Sequence, residues 1–163
     1  AFVKYFSNSN IFCFDINISN FVYRSKKIHV YGLDINNESK VKKILNIIFK
    51  KYQFNFFDLI IDDGSHNLKD ILFSLNFFFK YLKYDGIYIV EDFKHPNYYK
   101  YNNNIDHILV DQFLSNIEKK KISNSSIINE SNQEYLMKAI KKIYIEKGNL
   151  CDSDICFIKK KIK

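Results

Sequence analysis

Two apolar stretches of this chain each end abruptly in a pair of acidic residues, and this pattern constrains the fold more than any other feature. The first stretch, Phe57–Ile61, is followed by Asp62–Asp63, and the second, Gly86–Val90, is followed by Glu91–Asp92. Short, β-branched apolar runs of this kind are typical of buried parallel strands. The segment between them is long enough for one crossover helix. The sequence therefore predicts neighbouring strands that bring both acid pairs to one edge of a sheet.

The convergence of these acids indicates a site that binds a divalent cation or carries out catalysis. Carboxylates that meet repel one another unless a cation or a proton lies between them, and hard divalent cations prefer oxygen ligands. His66 lies three residues after Asp63, beyond a turn expected at Gly64–Ser65. An imidazole at that place could take a proton near neutral pH. The alternative is that Asp63, Glu91 and Asp92 are helix caps and solvated turn residues.

Up to Val90 the chain alternates predicted strands with predicted helices, which is typical of a parallel sheet with crossover helices. The predicted strands are Ile11–Ile16, Ile28–Leu33, Phe57–Ile61 and Ile87–Val90. The predicted helices are Glu38–Tyr52, Asn67–Leu82 (closed by a turn at Tyr84–Gly86), Ile105–Lys120 and Ser131–Lys138. At the end of the chain, Ile140–Ile145 and Ile155–Ile158 around Lys147–Asn149 predict an antiparallel hairpin.

Asp15 and Asp34 lie at or next to the ends of the first two predicted strands, so they belong to the same edge of the predicted sheet. A carboxylate offers two acceptor oxygens to the two hydroxyls of a ribose, which makes Asp15 the best candidate for binding a nucleoside. Asp34 could accept a hydrogen bond from an exocyclic adenine amine, or it could cap the helix that follows. The sequence leaves both interpretations of Asp34 open.

The bulk properties exclude several classes of protein. The chain has 163 residues, the length of one domain, with an ordinary balance of 47% hydrophobic and 26% charged residues. No apolar run approaches the roughly 18 residues of a membrane span. The net charge is +7, but the lysines are dispersed along the chain, so no specific nucleic-acid site is expected.

Cys13, Cys156, His29 and His107 are interpreted as structural. Three cysteines without metal-binding spacing leave an odd thiol in any disulfide scheme, which favours a reducing cytoplasm. Cys13 and Cys156 alternate with apolar residues in predicted strands and are read as small buried hydrophobic side chains. The other histidines are His29 and His107, which carry no functional weight, and His95, which could contact a substrate. The polar loop Asn97–Asn104 is either a lid or a loop with no role.

The segments Ile60–His66 (IIDDGSH) and Asp85–Phe93 (DGIYIVEDF) resemble a known group at this spacing. They are similar to the metal-dependent class I S-adenosylmethionine methyltransferases related to macrolide sugar O-methyltransferases and cephalosporin-hydroxylase-type proteins. The usual motifs in those proteins are IDDGxH followed by GGxYxxEDL. The resemblance extends from Tyr5–Phe6 to the final hairpin. It implies a Rossmann-like α/β fold with a mostly parallel sheet, helices on both faces and a C-terminal antiparallel hairpin. Residues 1–163 would form a single, partial methyltransferase domain.

The resemblance also implies a role for each candidate residue. The implied Mg²⁺ ligands are Asp63, Glu91 and Asp92. His66 would be the general base. Asp15 would bind the ribose of S-adenosylmethionine, and Asp34 would lie near its adenine, where Ile35 replaces the usual Gln-type residue. Mg²⁺ would chelate two oxygens of a sugar or a similar diol and lower the hydroxyl pKa, so that His66 could remove the proton before methyl transfer.

Two features of the resembling proteins are missing here, namely a first strand and the glycine-rich turn on which the methionine part of the cofactor rests. The chain has 4 glycines, none of them in its first thirty residues. We therefore interpret it as an amino-terminal truncation of a longer protein, which alone could fold poorly and be inactive. Loss of normal cofactor binding is the alternative.

Three functions are compatible with the sequence. The first is an O-methyltransferase, or a catalytic fragment of one, that acts on a small molecule or a glycan. The second is another metal-dependent enzyme on the same architecture, such as a hydrolase or a hydroxylase-like relative that uses the same acids. The third is a non-catalytic interaction module whose lysines bind acidic partners. The methyl acceptor and homo-oligomerisation are left open.

Overall fold

The computed structural model describes residues 2–93, 108–149 and 153–163. The chain forms two compact units, Ala1–Phe54 and Asn55–Lys163, and each is described by itself. Several sequence-based predictions fall outside the described residues: those for His95, His107, the loop Asn97–Asn104 and the start of the helix predicted from Ile105.

The first unit contains two parallel strands and a long amphipathic helix. In chain order its elements are α1 (Phe2–Tyr5), β1 (Ile11–Asp15), β2 (Ile28–Gly32) and α2 (Glu38–Tyr52). β1 pairs with β2 in parallel, with Asp15 opposite Gly32. The predicted bounds of α2 are confirmed, and both strands end one residue earlier than predicted. The short helix α1 was not predicted.

α2 forms because its apolar residues share one face and its first turn is capped. Val41, Leu45 and Ile48 are buried, spaced by about one helical turn. Asn37 is the N-cap, and its side chain accepts a hydrogen bond from the N–H of Lys40 at 3.1 Å. The interpretation of Asp34 as the cap of this helix is therefore wrong.

The second unit is built on a four-stranded sheet. Its strands are β3 (Phe57–Asp62), β4 (Leu82–Val90), β5 (Ile140–Glu146) and β6 (Ile155–Lys160). Their order in the sheet is β3-β4-β6-β5. β3 and β4 are parallel, whereas β6 is antiparallel to both of its neighbours. The predicted α/β fold, with parallel strands and a C-terminal antiparallel hairpin, is confirmed.

Helices cover this sheet and complete its core. They are α3 (Leu68–Phe78), followed by the 3-10 turn Phe79–Tyr81, then α4 (Val110–Glu118) and α5 (Glu130–Ala139). α3 lies against β3 and α4, and α4 lies against β5. Most side chains of α3 are buried, which explains its apolar sequence. Within the described ranges, no helix has the length and apolar character needed to cross a membrane.

The turn predicted at Tyr84–Gly86 is wrong, because these residues belong to β4. α3 ends earlier than predicted, and the 3-10 turn leads directly into the strand at Leu82. Along β4 the pairing with β3 skips from Leu82 to Ile87, so the residues between them form a bulge. Asp85 in this bulge has a φ of 61°. Asp85 thus adopts the left-handed conformation within the bulge of the strand, and the Asp-Gly pair does not form a turn between two elements.

Two of the cysteines and His29 were predicted to be structural, and their burial and contacts can be compared with that prediction. Cys156 is fully buried, and burial raises the pKa of its thiol to about 12. Cys13 is half-buried, and burial also raises its pKa. The ring of His29 lies between two polar side chains, with Nδ1 3.0 Å from the hydroxyl of Tyr52 and Nε2 3.2 Å from Oδ1 of Asn10. The structural interpretation of Cys156 is confirmed.

Candidate active site

The two acid pairs follow adjacent parallel strands, as the sequence predicts. β3 ends at Asp62 and β4 ends at Val90, and these residues are partners in the strand register. The N–H of Glu91 donates to the carbonyl oxygen of Asp62 at 2.9 Å, which extends the pairing by one step. Both strands therefore end at the same edge of the sheet, and Asp63 and Glu91 are the first residues beyond them.

A group of potential metal ligands lies at this edge of the second unit. Asp63, His66 and Asp92 each offer one donor atom, and these atoms all lie within 4.8 Å of one another. Nε2 of His66 is 3.9 Å from Oδ1 of Asp63. Asp63 is exposed and the other two residues are half-buried, so the group is open to solvent on one side. Glu91, which the sequence predicts as a third acidic ligand, is not part of this group.

Two residues of the group have a strained backbone. His66 has a φ of 56° and Asp92 has a φ of 48°, which places both in the left-handed region. Residues with a Cβ atom rarely adopt this conformation, and holding one there costs about 1–3 kcal/mol. Such outliers cluster at functional sites, where the surrounding structure enforces them. The turn expected at Gly64 instead uses His66, since no glycine among the described residues has a positive φ.

The imidazole of His66 is oriented by the backbone that follows β4. Its Nδ1 lies 3.4 Å from the carbonyl oxygen of Glu91. A carbonyl oxygen can only accept, so Nδ1 carries the hydrogen and the lone pair of the neutral ring is on Nε2. Nε2 is also the atom nearest to the carboxylate of Asp63. Through this nitrogen His66 can take up a proton or bind a cation.

Glu91 shares the electrostatic environment of the group although it supplies none of the grouped donor atoms. Its pKa is raised by partial burial and then by the negative charges of Asp63 and Asp92, while His66 opposes the shift. Nearby like charges disfavour the ionised form of a carboxyl, and a bound cation would reverse that effect. Both Asp63 and Asp92 therefore act on Glu91 through space.

Sequence analysis missed a buried polar cluster next to these residues, formed by Asp62, Ser74 and Tyr88. The hydroxyls of Ser74 and Tyr88 are 2.7 Å apart, and Tyr88 donates to Asp62 at 3.3 Å. Burial raises the pKa of Asp62 to about 6, while the hydroxyls of Ser74 and Tyr88 and the N–H of Gly64 oppose the shift. The sequence signal was an acid at the end of an apolar run, but its partners are brought to it by the crossover helix and the strand register.

Asp15 and Asp34 lie at the carboxyl ends of β1 and β2, as predicted, and their side chains are exposed. These two strands form a two-stranded sheet, whereas the other acid pairs follow strands of the four-stranded sheet, so the predicted single sheet edge for all of these acids is not observed among the described residues. Asp15 accepts a hydrogen bond from the N–H of Asn17 at 2.8 Å, and Asp34 accepts one from the N–H of Asn36 at 2.9 Å. Each carboxylate therefore closes a local turn and retains acceptor capacity. Their role in binding a nucleoside stays a prediction.

Comparison with solved structures finds the same fold in MycE, a methyltransferase from the mycinamycin biosynthetic pathway. The structure of MycE with Mg, SAH and mycinamycin VI is 18% identical, with a TM-score of 0.64, and the match covers 98% of this chain and 38% of that one. A crystal form with Mg and SAH gives a TM-score of 0.65 at 18% identity, covering 98% and 39%. This chain therefore spans about two fifths of the length of MycE.

At 18% identity the likeness to MycE shows a shared fold. No protein family and no curated protein matches the chain by sequence. The predicted resemblance to methyltransferases is thus confirmed for the fold, and the resemblance to cephalosporin-hydroxylase-type proteins stays a prediction.

Proposed function

We propose that this chain is the catalytic part of an S-adenosylmethionine-dependent, Mg²⁺-assisted O-methyltransferase that acts on a hydroxyl of a sugar or a similar small molecule. The observation that carries the proposal is the group of Asp63, His66 and Asp92 at the ends of two adjacent parallel strands. The fold shared with MycE, whose structures contain Mg and SAH, supports it. Since the chain covers 38% of the MycE chain, the activity of the whole protein is part of the proposal.

The donor set at the strand ends fits Mg²⁺. Asp63 and Asp92 supply carboxylate oxygens, the ligands that a hard divalent cation prefers, from positions within 4.8 Å of each other. Glu91 is close enough for both acids to raise its pKa, and as a third ligand it would complete the set predicted from the sequence. When bound, Mg²⁺ holds oxygens of the acceptor and lowers the pKa of the hydroxyl.

His66 would remove the proton of the acceptor hydroxyl through Nε2. The contact between Nδ1 and the carbonyl of Glu91 selects the tautomer with its lone pair on Nε2. The side chain is 23% exposed, so an acceptor can approach the ring. General base catalysis of this kind contributes typically about 10²–10⁴-fold to the rate.

Asp15 and Asp34 would bind the nucleoside part of the methyl donor. Both follow adjacent parallel strands, at the sheet edge where nucleosides bind in α/β folds. After closing its turn, each carboxylate has acceptor capacity left for the ribose hydroxyls or the adenine amine. We further propose that both compact units belong to one methyltransferase domain.

Isothermal titration calorimetry with S-adenosylmethionine in the presence of Mg²⁺ tests this proposal. We expect binding by the wild-type protein and a loss of at least about tenfold in affinity for Asp15→Ala, because a charged acceptor of two hydroxyls is removed. Asp58→Ala is the matched control, since Asp58 is an exposed acid that pairs with Lys83 at 2.9 Å. No heat of binding with the wild-type protein would contradict the proposal.

One observation favours a second candidate, a metal-dependent hydrolase or hydroxylase-like enzyme. The grouped donor atoms include the imidazole of His66 and exclude Glu91. Imidazole is a preferred ligand of transition metals, whereas Mg²⁺ is bound chiefly by oxygen. Competition between Mg²⁺ and Zn²⁺ or Fe²⁺ distinguishes the two candidates, because a site that includes His66 would favour the transition metal strongly.

A further inference from the structure

Three elements of the second unit meet at the buried polar cluster of Asp62, Ser74 and Tyr88. Asp62 is the last residue of β3, Ser74 lies within α3 and Tyr88 lies within β4. Tyr88 donates to Asp62 at 3.3 Å. Because its single hydrogen is used there, Tyr88 accepts from the hydroxyl of Ser74 at 2.7 Å. The side chains of Ser74 and Tyr88 are 4% and 0% exposed. The hydrogen bond between Ser74 and Tyr88 is shielded from water and the one from Tyr88 to Asp62 is partly shielded, which makes their geometry rigid.

Asp62 connects this cluster to both segments that carry the candidate ligands. Its carboxylate accepts the N–H of Gly64, directly after Asp63. Its carbonyl accepts the N–H of Glu91, directly before Asp92, at 2.9 Å. Gly64 permits this arrangement, because a Cβ atom there would lie only 3.2 Å from Oδ1 of Asp62.

The carboxylate of Asp62 is directed into the protein and is engaged by two donors, the hydroxyl of Tyr88 and the N–H of Gly64. To bind a cation it would have to break these bonds. Asp62 is therefore suited to act through the backbone on its two sides.

We propose that Asp62 is a positioning residue for the metal site, fixing the separation of the Asp63 and Asp92 carboxylates. The inference rests on the proposed metal-dependent function and adds Asp62, Ser74 and Tyr88 to it. Ligands that are held at coordinating distance before the ion arrives need no rearrangement on binding, so their supports contribute to affinity. Asp92 needs such support, because its left-handed backbone is a conformation that an unsupported chain rarely adopts.

Tyr88→Phe tests the inference, because it removes one donor to Asp62 and keeps the ring that fills the core. Mn²⁺ is the probe, titrated into the metal-free protein and followed by electron paramagnetic resonance. We expect the dissociation constant to rise about tenfold, the lower end of the effect of losing an outer contact at a metal site. Tyr144→Phe is the matched control, since it removes a hydroxyl that bonds to Glu146 on an exposed strand. This variant should bind Mn²⁺ as the wild type does.

Ser74→Ala is a second variant, which removes the hydroxyl that holds Tyr88 in place to donate to Asp62, and it should also weaken Mn²⁺ binding about tenfold. It decides the question if Tyr88→Phe does not fold. The melting temperature of each variant is measured, and titrations are run well below it, because a merely structural role would lower the melting temperature and leave the affinity unchanged. Wild-type affinity in both variants overturns the positioning role alone. Absence of Mn²⁺ binding by the wild type overturns the metal site and the inference together.

Discussion

Both units of the molecule end parallel strands in acids, yet they use those acids differently. In the first unit, Asp15 and Asp34 are exposed, and each accepts a hydrogen bond from the N–H two residues further on. In the second unit, Asp63 and Asp92 converge with His66 within 4.8 Å. The same sequence signal thus leads to local turns in one unit and to a common site in the other.

The difference lies in the backbone that follows each strand. In the first unit, the acid itself closes the turn by bonding to the chain ahead of it. In the second unit, left-handed residues redirect the chain, and buried hydrogen bonds to Asp62 anchor the strand end. An acid after a strand is therefore a weak sign of a site, and convergence requires support from the backbone.

The largest expected effect compares one histidine from each unit. His66→Gln should lower the formation of S-adenosylhomocysteine by about 10²–10⁴-fold, measured with a panel of sugar and macrolide acceptors, because the general base is lost. His29→Gln is the control, since His29 is held by Tyr52 and Asn10 in a structural contact. The Mn²⁺ affinity of His66→Gln should stay at the wild-type level. A large fall in that affinity would instead identify His66 as a ligand.

The next largest effect compares the Mn²⁺ affinity after removal of one acid from each unit. Asp92→Ala should weaken Mn²⁺ binding by at least about 100-fold, because losing a ligand costs more than losing an outer contact. Asp34→Ala removes an acid from an equivalent strand end in the first unit and should leave Mn²⁺ affinity unchanged. Electron paramagnetic resonance measures both. Similar losses in the two variants would break the contrast between the units.

A smaller effect concerns stability and pH. The folded-state pKa of Asp62 is raised to about 6 from 3.8, so its protonation stabilises the fold. This contribution is complete below about pH 3.8 and is lost as the pH rises through 6, which amounts to about 3 kcal/mol. Asp62→Asn should therefore be more stable than the wild type above pH 6, by an amount that shrinks towards pH 4.

Urea unfolding in EDTA across this pH range measures the effect. Asp15→Asn is the control and should keep the wild-type dependence on pH, since Asp62 is intact in it. If the unfolding free energy of Asp62→Asn changes with pH as that of the wild type does, another group causes the pH dependence.

The smallest effect compares the first turns of two helices. Asn37 caps α2 through its side chain, whereas Asn67, at the start of α3, makes no side-chain cap bond. Asn37→Ala should cost about 1 kcal/mol of unfolding free energy, and Asn67→Ala should cost almost nothing. Thermal unfolding of both variants decides this, and equal losses would mean that α3 depends on its first residue as α2 does.

Sequence periodicity predicted the strands, the long helix α2 and the terminal hairpin, because these depend on local apolar patterns. Periodicity did not predict the bulge of β4, since a bulge depends on the number of residues in the neighbouring strand that pair with it. Asp63 and Asp92 were found because they lie within two residues of strand ends. Ser74 and Tyr88 were missed, since a crossover helix and a strand register bring them to Asp62.

The left-handed backbone conformations of His66 and Asp92 also imply a trade-off between thermal stability and activity. Glycine adopts that conformation without penalty, so a glycine at either position would relieve the strain and delete the functional side chain in one step. A laboratory evolution experiment that rewards only thermal resistance should accumulate changes at these two positions first. Retention of both residues under such a regime would mean that they contribute to folding as well as to chemistry.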